Sequence, residues 1–450
     1  MTSPARVAAL RALLAIEAGR QDLPAALEQA RASLGDDRDR SLAAAIVHGT
    51  LRWQRTCDHL IAHFARRPPD TLDADVRLIL RLALFQLLRL DRVPASAVVD
   101  DAVELTRTIR KRSAAALVNA VLRAVVRRRH ALPLPARPPG PVSRAEALHY
   151  LGVCGSHPDW LVARWLDRMG FDQTERWLHF NNQPAPMMLA VNAIRAVPEA
   201  ARAALAADGI ETAPGRFSPV GLQVLTGNPL HRSDDGSVLV QDEASQMIPL
   251  VVDAAPGERV LDLCAAPGNK TVAMAGAIGQ TGLVVACDVR PRRLALLRTT
   301  LTRAGARRGR VVQVPTEAAL PFASTFDRVL VDAPCSGLGT LRRDPDLRWR
   351  RRESELPALA RRQAALLARA AEVVRPGGRL VYATCSSEPE ENDEIVDAFL
   401  AARSDFTQLD LRAGGRAELA PLLDDRGRLR TCPPAHGLEA FFAAALTRLR

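Results

Sequence analysis

A chain of 450 residues is long enough for two or three domains, each burying its own core. With 48% hydrophobic and 25% charged residues the composition is that of a soluble globular protein, and the lack of any long uncharged apolar run excludes a transmembrane helix. The formal net charge of +11 and a pI near 10.2 point to a polyanionic partner, nucleic acid rather than membrane. The apolar run Val7–Leu10 is cut by Arg11, which argues against a signal peptide. The seven cysteines, Cys57, Cys154, Cys264, Cys287, Cys335, Cys385 and Cys432, form no C-x-x-C pair. That argues against a zinc ribbon, no metal site is expected, and the odd count fits a reducing cytoplasm. Lysine occurs only at Lys111 and Lys270 against a large excess of arginine, so a lysine kept in place hints at a need for a compact ammonium.

Residues 1–132 read as an all-α domain. The stretch Val76–Leu90 is apolar on most faces with arginines spaced between, as in the central helix of a bundle, and Ala95–Ile109 and Ala114–Arg129 are amphipathic. Residues 1–130 hold 22 Lys/Arg and 14 Asp/Glu, a net +8 that is most of the chain's excess. From Lys111 to His130 there are six basic side chains, Lys111, Arg112, Arg123, Arg127, Arg128 and Arg129, and no acidic one. Such a run is either a solvated helix face or a contact for phosphates.

The segment Leu132–Pro141 holds five prolines and predicts a stiff linker over 133–142, the clearest domain boundary. Residues 143–235 read as a small, loop-rich α+β segment. From Val238 strands alternate with helices, as a parallel doubly wound sheet requires, so 236–450 is expected to be an α/β, Rossmann-like domain. The predicted strands are Arg259–Leu263, Leu283–Asp288, Arg310–Val314, Arg328–Asp332 and Arg379–Ala383, with a late strand within Glu439–Leu446. Predicted helices include Arg292–Arg303 and Leu356–Val374.

Within this last domain, Val260–Thr271 reads as a buried strand, a turn of small residues (Cys264, Ala265, Ala266, Pro267, Gly268, Asn269) and a helix opening near Lys270. Such a turn leaves backbone N–H groups free for a ligand. It is neither a G-x-G-x-x-G fingerprint nor a P-loop, whose glycine spacing fails here. Ligands of such sheets sit outside the carboxyl ends of the strands, which brings three further features to the same place. Asp288 ends the next strand, where a carboxylate accepts both ribose hydroxyls of a nucleoside cofactor or simply caps the following helix. The others are Asp332-Ala-Pro-Cys-Ser-Gly337 and Tyr382-Ala-Thr-Cys-Ser-Ser387.

Together these stretches resemble the S-adenosylmethionine-dependent RNA cytosine-C5 methyltransferases. The turn is similar to their motif I, usually C-A-A-P-G-G-K-T, with Asn269 in place of the second glycine. Asp-Ala-Pro-Cys and Thr-Cys-Ser resemble motifs IV and VI, and Gln241–Gln246 is also similar, so the likeness covers 143–450 and extends more weakly into the N-terminus. There, Leu117–Arg123 resembles the NusB-type RNA-binding domain that precedes many bacterial rRNA cytosine methyltransferases. The resemblance implies S-adenosylmethionine held by residues 264–270 and Asp288, with Asp332 shared between cofactor and base. It implies Cys385 as the nucleophile that adds to C6, Cys335 in release of the covalent product, and Asp332 as a hydrogen-bond partner of cytosine N3. It further implies a monomer in the cytoplasm acting on small-subunit (16S) rRNA, not DNA and not a membrane. Rival readings are a tRNA cytosine-C5 methyltransferase and a non-catalytic RNA-binding or antitermination protein. Pro315 departs from the pattern, standing where the family has an Asp near the adenine. Leu341–Arg352 resembles the family's arginine-rich substrate loop, with Trp349 available to stack a base; the alternative there is a solvated helix start.

Overall fold

The computed structural model describes residues 2–140, 143–414 and 416–450. The chain divides into two units, Met1–Gln183 with Leu341–Arg350, and Pro184–Thr340 with Arg351–Arg450.

In the first unit the apolar periodicity becomes a helical core. The helix Ala74–Arg89 is buried almost continuously from Val76 to Gln86, and Asp73 caps it by accepting from the Asp75 N–H. Two arginines lie along that run: half-buried Arg77 pairs with Glu17, and buried Arg81 is received by Asp58 with two parallel bonds of 2.7 and 2.8 Å. The other two predicted helices are Ala95–Thr108 and Ala115–Arg127, within two residues of the sequence reading at each end.

Residues 132–140 form no helix or strand, as their prolines dictate. The division between units falls later, at Gln183. Leu132 and Leu134 pack on the helical core, and the helices Arg144–Cys154, Asp159–Met169 and Phe171–Asn182 join the same unit. There Thr56 Oγ1 donates to Val153 O at 2.6 Å, and Trp165 packs on Trp177. The prolines stiffen the backbone without ending the core.

Leu341–Arg350 corrects the expectation of a free arginine-rich loop. The Arg348 side chain is fully buried in the first unit. It donates to Ser156 O at 3.1 Å, Asn182 Oδ1 at 2.9 Å and Leu341 O at 3.1 Å. Trp349 Nε1 donates to Leu51 O at 2.7 Å, and the Arg342 guanidinium lies 4.5 Å above the Phe180 ring. Arg348 and Trp349 are therefore engaged with protein, not held out for phosphate or base.

The second unit holds two sheets. Strands β1 (Met188–Val191), β2 (Glu211–Pro214), β3 (Gly221–Thr226) and β4 (Val238–Val240) form an antiparallel sheet in the order β2-β3-β1-β4. Just beyond β1, buried Asn192 donates through Nδ2 to Gly236 O and Ala304 O, both at 2.8 Å, fixing this sheet to the larger domain. The large sheet contains β5 (Arg259–Asp262), β6 (Leu283–Asp288), β7 (Gly309–Gln313), β8 (Phe326–Asp332), β9 (Val374–Thr384), β10 (Phe406–Leu409), β11 (Leu429–Arg430) and β12 (Phe442–Arg448). Its order is β10-β12-β9-β8-β5-β6-β7, with β11 on β12. Strands β5 to β9 are parallel, whereas β12 runs antiparallel to both β9 and β10. Successive residues face opposite cores: Val260, Val284 and Leu330 on one side, Leu261, Val285 and Val331 on the other. Burial on both faces explains why these strands read as continuous apolar runs. Among the described residues no helix is long and apolar enough to cross a membrane.

Candidate active site

The strand order reverses at β5, which has β6 on one side and β8 on the other. This switch point is where open α/β sheets bind ligands. Three loops leave the carboxyl ends of β5, β8 and β9 there, and each carries one of the motifs.

After β5 the chain turns through residues 263–268 into the helix Asn269–Ala277. Gly268 caps it at φ 115°, and a Cβ there would meet Leu297 at 2.9 Å, so glycine is required. Asn269 already lies in the helix, which is why the second glycine of the motif is dispensable; its Nδ2 donates to Val240 O at 3.0 Å. In the first turn, Lys270 Nζ donates to Asp332 Oδ2 at the end of β8, at 2.7 Å. Burial opposes its charge, but the Asp332 carboxylate outweighs burial and holds the ammonium pKa above the usual lysine value.

Asp262 ends β5 and is buried. Its Oδ2 accepts from Thr271 Oγ1 at 2.6 Å while Oδ1 has no hydrogen-bond partner, and burial pushes its pKa up to about 7. Asp262 lines a cleft with Gln241, Ser245, Cys264, Ala265, Ala266, Pro267, Asn269, Lys270 and Asp332. A buried carboxylate oxygen without a partner suits a cationic small molecule such as S-adenosylmethionine, and the glycine-capped helix start adds free N–H groups. Asp288 ends β6 but does not line the cleft. Its Oδ1 accepts from Arg290 N at 3.1 Å, Oδ2 pairs with Arg293 Nε at 3.3 Å, and Arg293 in turn donates to Ala266 O at 2.6 Å. The carboxylate thus shapes the turn into the helix Pro291–Ala304 and is tied to the β5 loop through Arg293. Pro315 follows β7, is exposed, and its carbonyl accepts from Arg369 at 2.9 Å.

The two remaining loops bring Cys335 and Cys385 together, with 3.1 Å between their sulfurs. Gly339 allows this approach: its N–H donates to Cys385 O at 2.9 Å and its carbonyl accepts from Ala440 N at 2.9 Å. A Cβ on Gly339 would sit 2.0 Å from Ala440 O. The thiols differ electrically. The hydrogen bond to Cys385, burial, and the nearby Cys385 and Glu391 charges push Cys335 well above the usual thiol pKa. Cys385 lies within electrostatic reach of the Lys270 ammonium. The other cysteines are pushed up chiefly by burial, Cys57 and Cys287 to about 12 and Cys154 to about 11, as inert thiols are.

Sequence reasoning did not assign Asp262, Ser245, Gln241 or Arg293 to the site. Gln241 and Ser245 stand in the Gln241–Gln246 stretch it had singled out, and their i,i+4 spacing, with Gln241 Nε2 donating to Ser245 Oγ at 3.1 Å, was a usable signal. A larger cavity of about 550 Å³ lies in the first unit beside Arg137, Arg144 and Phe171. Its arginines are already paired, Arg137 with Asp172 and Glu175 and Arg144 with Asp167, and no motif residue lines it.

The fold is similar to the crystal structure of PH0851, at a TM-score of 0.81 and 26% identity, covering 99% of each chain. A methyltransferase homolog protein from Pyrococcus horikoshii matches at TM-score 0.57 and 26% identity, over 68% of this chain and 100% of that one. Fold and site together define an S-adenosylmethionine-dependent methyltransferase. Residues 249–447 match the family model for 16S rRNA methyltransferase RsmB/F, residues 3–127 the NusB family, and residues 157–231 the RsmF/B-like ferredoxin-like domain. Ribosomal RNA small subunit methyltransferase B of Pseudomonas putida is 35% identical over 99% of this chain and 98% of its own, and the probable counterpart of Bacillus subtilis 31% identical over 92% and 91%. The chain belongs to the RsmB/F family of rRNA methyltransferases.

Proposed function

We propose that the protein methylates a cytosine of 16S rRNA at C5, with Cys385 as the covalent nucleophile. The observation that carries this reading is the pair of thiols 3.1 Å apart, one of them beside the Lys270 ammonium. Cytosine C5 is a poor nucleophile until a thiolate adds at C6 and makes the ring enamine-like, so covalent catalysis divides one hard step into two. Residues 264–270 with Asp262 would hold S-adenosylmethionine, with Asp288 acting on the β5 loop through Arg293, and the cofactor would supply a methyl group made electrophilic by its sulfonium.

The attacking form of such a nucleophile is the thiolate. A cytosine protonated at N3 donates there to the Asp332 carboxylate, which the Lys270 ammonium holds in place, and that proton takes up the electron pair pushed towards N3 as the thiolate adds. The C5 proton passes to solvent water, its electron pair re-forms the C5–C6 double bond and expels Cys385 as the thiolate, and the Cys335 thiol, whose pKa is raised, assists by donating a hydrogen bond to the leaving sulfur. Pro315 offers no carboxylate for the adenine, so recognition at that corner falls to other groups. An rRNA substrate fits the charge of +11, and the protein is proposed to act as a cytoplasmic monomer.

Bisulfite sequencing of total RNA from cells with and without the protein tests this reading. The expected result is loss of one protected cytosine in 16S rRNA; loss of a tRNA site instead, or no loss, contradicts it.

A further inference from the structure

The two cysteine loops leave the paired strands β8 and β9, and the Gly339 N–H already ties one loop to the Cys385 carbonyl. A buried carboxylate adds a side-chain bridge between the residues that follow the two cysteines. Glu391 is completely buried just beyond β9, between the site and the helix Asp393–Ala402. Its Oε1 accepts from the Ser336 N–H and from Gln363 Nε2, both at 2.8 Å. Its Oε2 accepts from Ser336 Oγ and Ser386 Oγ, both at 2.5 Å, and those hydroxyls are 3.1 Å apart. Ser336 follows Cys335 and Ser386 follows Cys385, so one carboxylate holds the neighbours of both thiols.

The surroundings fix the clamp. Tyr382 OH donates to Glu391 O at 2.6 Å, Asn392 Nδ2 donates to Ser386 O at 2.9 Å, and Gln363 Nε2 also donates to Pro334 O at 3.0 Å. A buried carboxylate accepting four hydrogen bonds is fully satisfied, and charge-assisted bonds of this kind are stronger than neutral ones. Such a network is costly to keep in an apolar core unless its geometry matters.

We propose that Glu391 is a positioning residue that sets the Cys335–Cys385 distance by bridging Ser336 and Ser386. It touches neither base nor cofactor and acts through the two loops. This inference uses the proposed cysteine chemistry only for its purpose; the bridge itself is testable without methyl transfer.

The glutamine variant separates geometry from charge. In Glu391→Gln the amide oxygen can keep the two N–H donors while the amide nitrogen donates to both hydroxyls, so the bridge survives without its negative charge. In Glu391→Ala the bridge is lost.

The test uses the full-length protein and two readouts on the free enzyme. The first is the rate at which diamide, itself reduced to the hydrazine, joins Cys335 and Cys385 in a disulfide, followed by peptide mass. The second is the pH midpoint for alkylation of Cys335, with S-adenosylmethionine affinity by calorimetry as the check on folding. Glu391→Ala should crosslink about tenfold more slowly, because proximity is lost. Glu391→Gln should crosslink near the wild-type rate, with the Cys335 midpoint moved to lower pH because a neighbouring negative charge is gone. If the alanine variant no longer binds S-adenosylmethionine, the double variant Ser336→Ala with Ser386→Ala takes its place and should also crosslink slowly. Wild-type crosslinking in the folded bridge-deficient variant, or an unmoved midpoint in Glu391→Gln, overturns the proposal. Because neither readout involves RNA, a protein that proves not to methylate cytosine would still answer this question.

Discussion

Asp262 has two carboxylate oxygens, and only one of them has a partner. Burial raises its pKa from 3.8 to about 7, so ionising it costs the cofactor-free fold stability that is intact below the lower value and lost as pH rises through the upper one. A cationic cofactor reverses the balance by favouring the ionised carboxylate. S-adenosylmethionine should therefore bind more tightly as pH rises from about 6 to about 8, and Asp262→Asn should flatten that rise. Calorimetry across this range checks it, and an equal slope in the variant would remove Asp262 from the site. Asp288 acts from one strand further along. Asp288→Ala should weaken cofactor binding by about 1.5–3 kcal/mol, the worth of charge-assisted hydrogen bonds, because it frees Arg293 and with it the tie to Ala266 in the β5 loop. Wild-type affinity in that variant would assign Asp288 to the turn alone.

At the scale of elements, the segment Leu341–Arg350 shows how burial changes the meaning of an arginine. Arg348 is surrounded by carbonyl and amide oxygens of the first unit, so Arg348→Ala leaves several acceptors buried and unpaired. A loss on the order of 3 kcal/mol of stability is expected, seen as a fall in Tm of several degrees, whereas Arg20→Ala, at an exposed side chain, should change it little. Equal effects of the two would contradict the assignment. The same segment marks where sequence reading reached its limit. Strands β5 to β9 were legible as short apolar runs and the helix Ala74–Arg89 as a long one, because each carries its signal within its own residues. Cys264, Lys270, Asp332, Cys335 and Cys385 could be named as candidates because each lies in a short motif at a strand end. A run of arginines gives no such local signal: Arg348 packs against residues 156 and 182, far away in the sequence, and only the fold brings them near. The Glu391 bridge was hidden for the same reason, since Ser336 lies 55 residues before it. The prolines of 132–140 keep the segment out of helix and strand but do not mark the end of a core, because Leu132 and Leu134 still pack on it.

For the molecule as a whole, positive charge and chemistry occupy different units. Arg123, Arg127, Arg128 and Arg129 are exposed on and just past the last helix of the NusB-matching region, and Lys111 is already paired with Asp73. Replacing those four arginines by glutamine should weaken RNA binding and lower its salt slope by roughly 0.7–0.9 for each phosphate that they neutralise. S-adenosylmethionine affinity should not change. An unchanged slope would leave this face as a solvated surface. The central claim, that a chain of this family transfers a methyl group through a Cys385 adduct, is tested most directly by trapping. Cys385→Ala cannot form the adduct, whereas Cys335→Ala should still attack and methylate but fail to release. On a denaturing gel after incubation with substrate RNA and S-adenosylmethionine, the account predicts a covalent protein–RNA band from Cys335→Ala and none from Cys385→Ala; the reverse pattern, or no band from either, would contradict it.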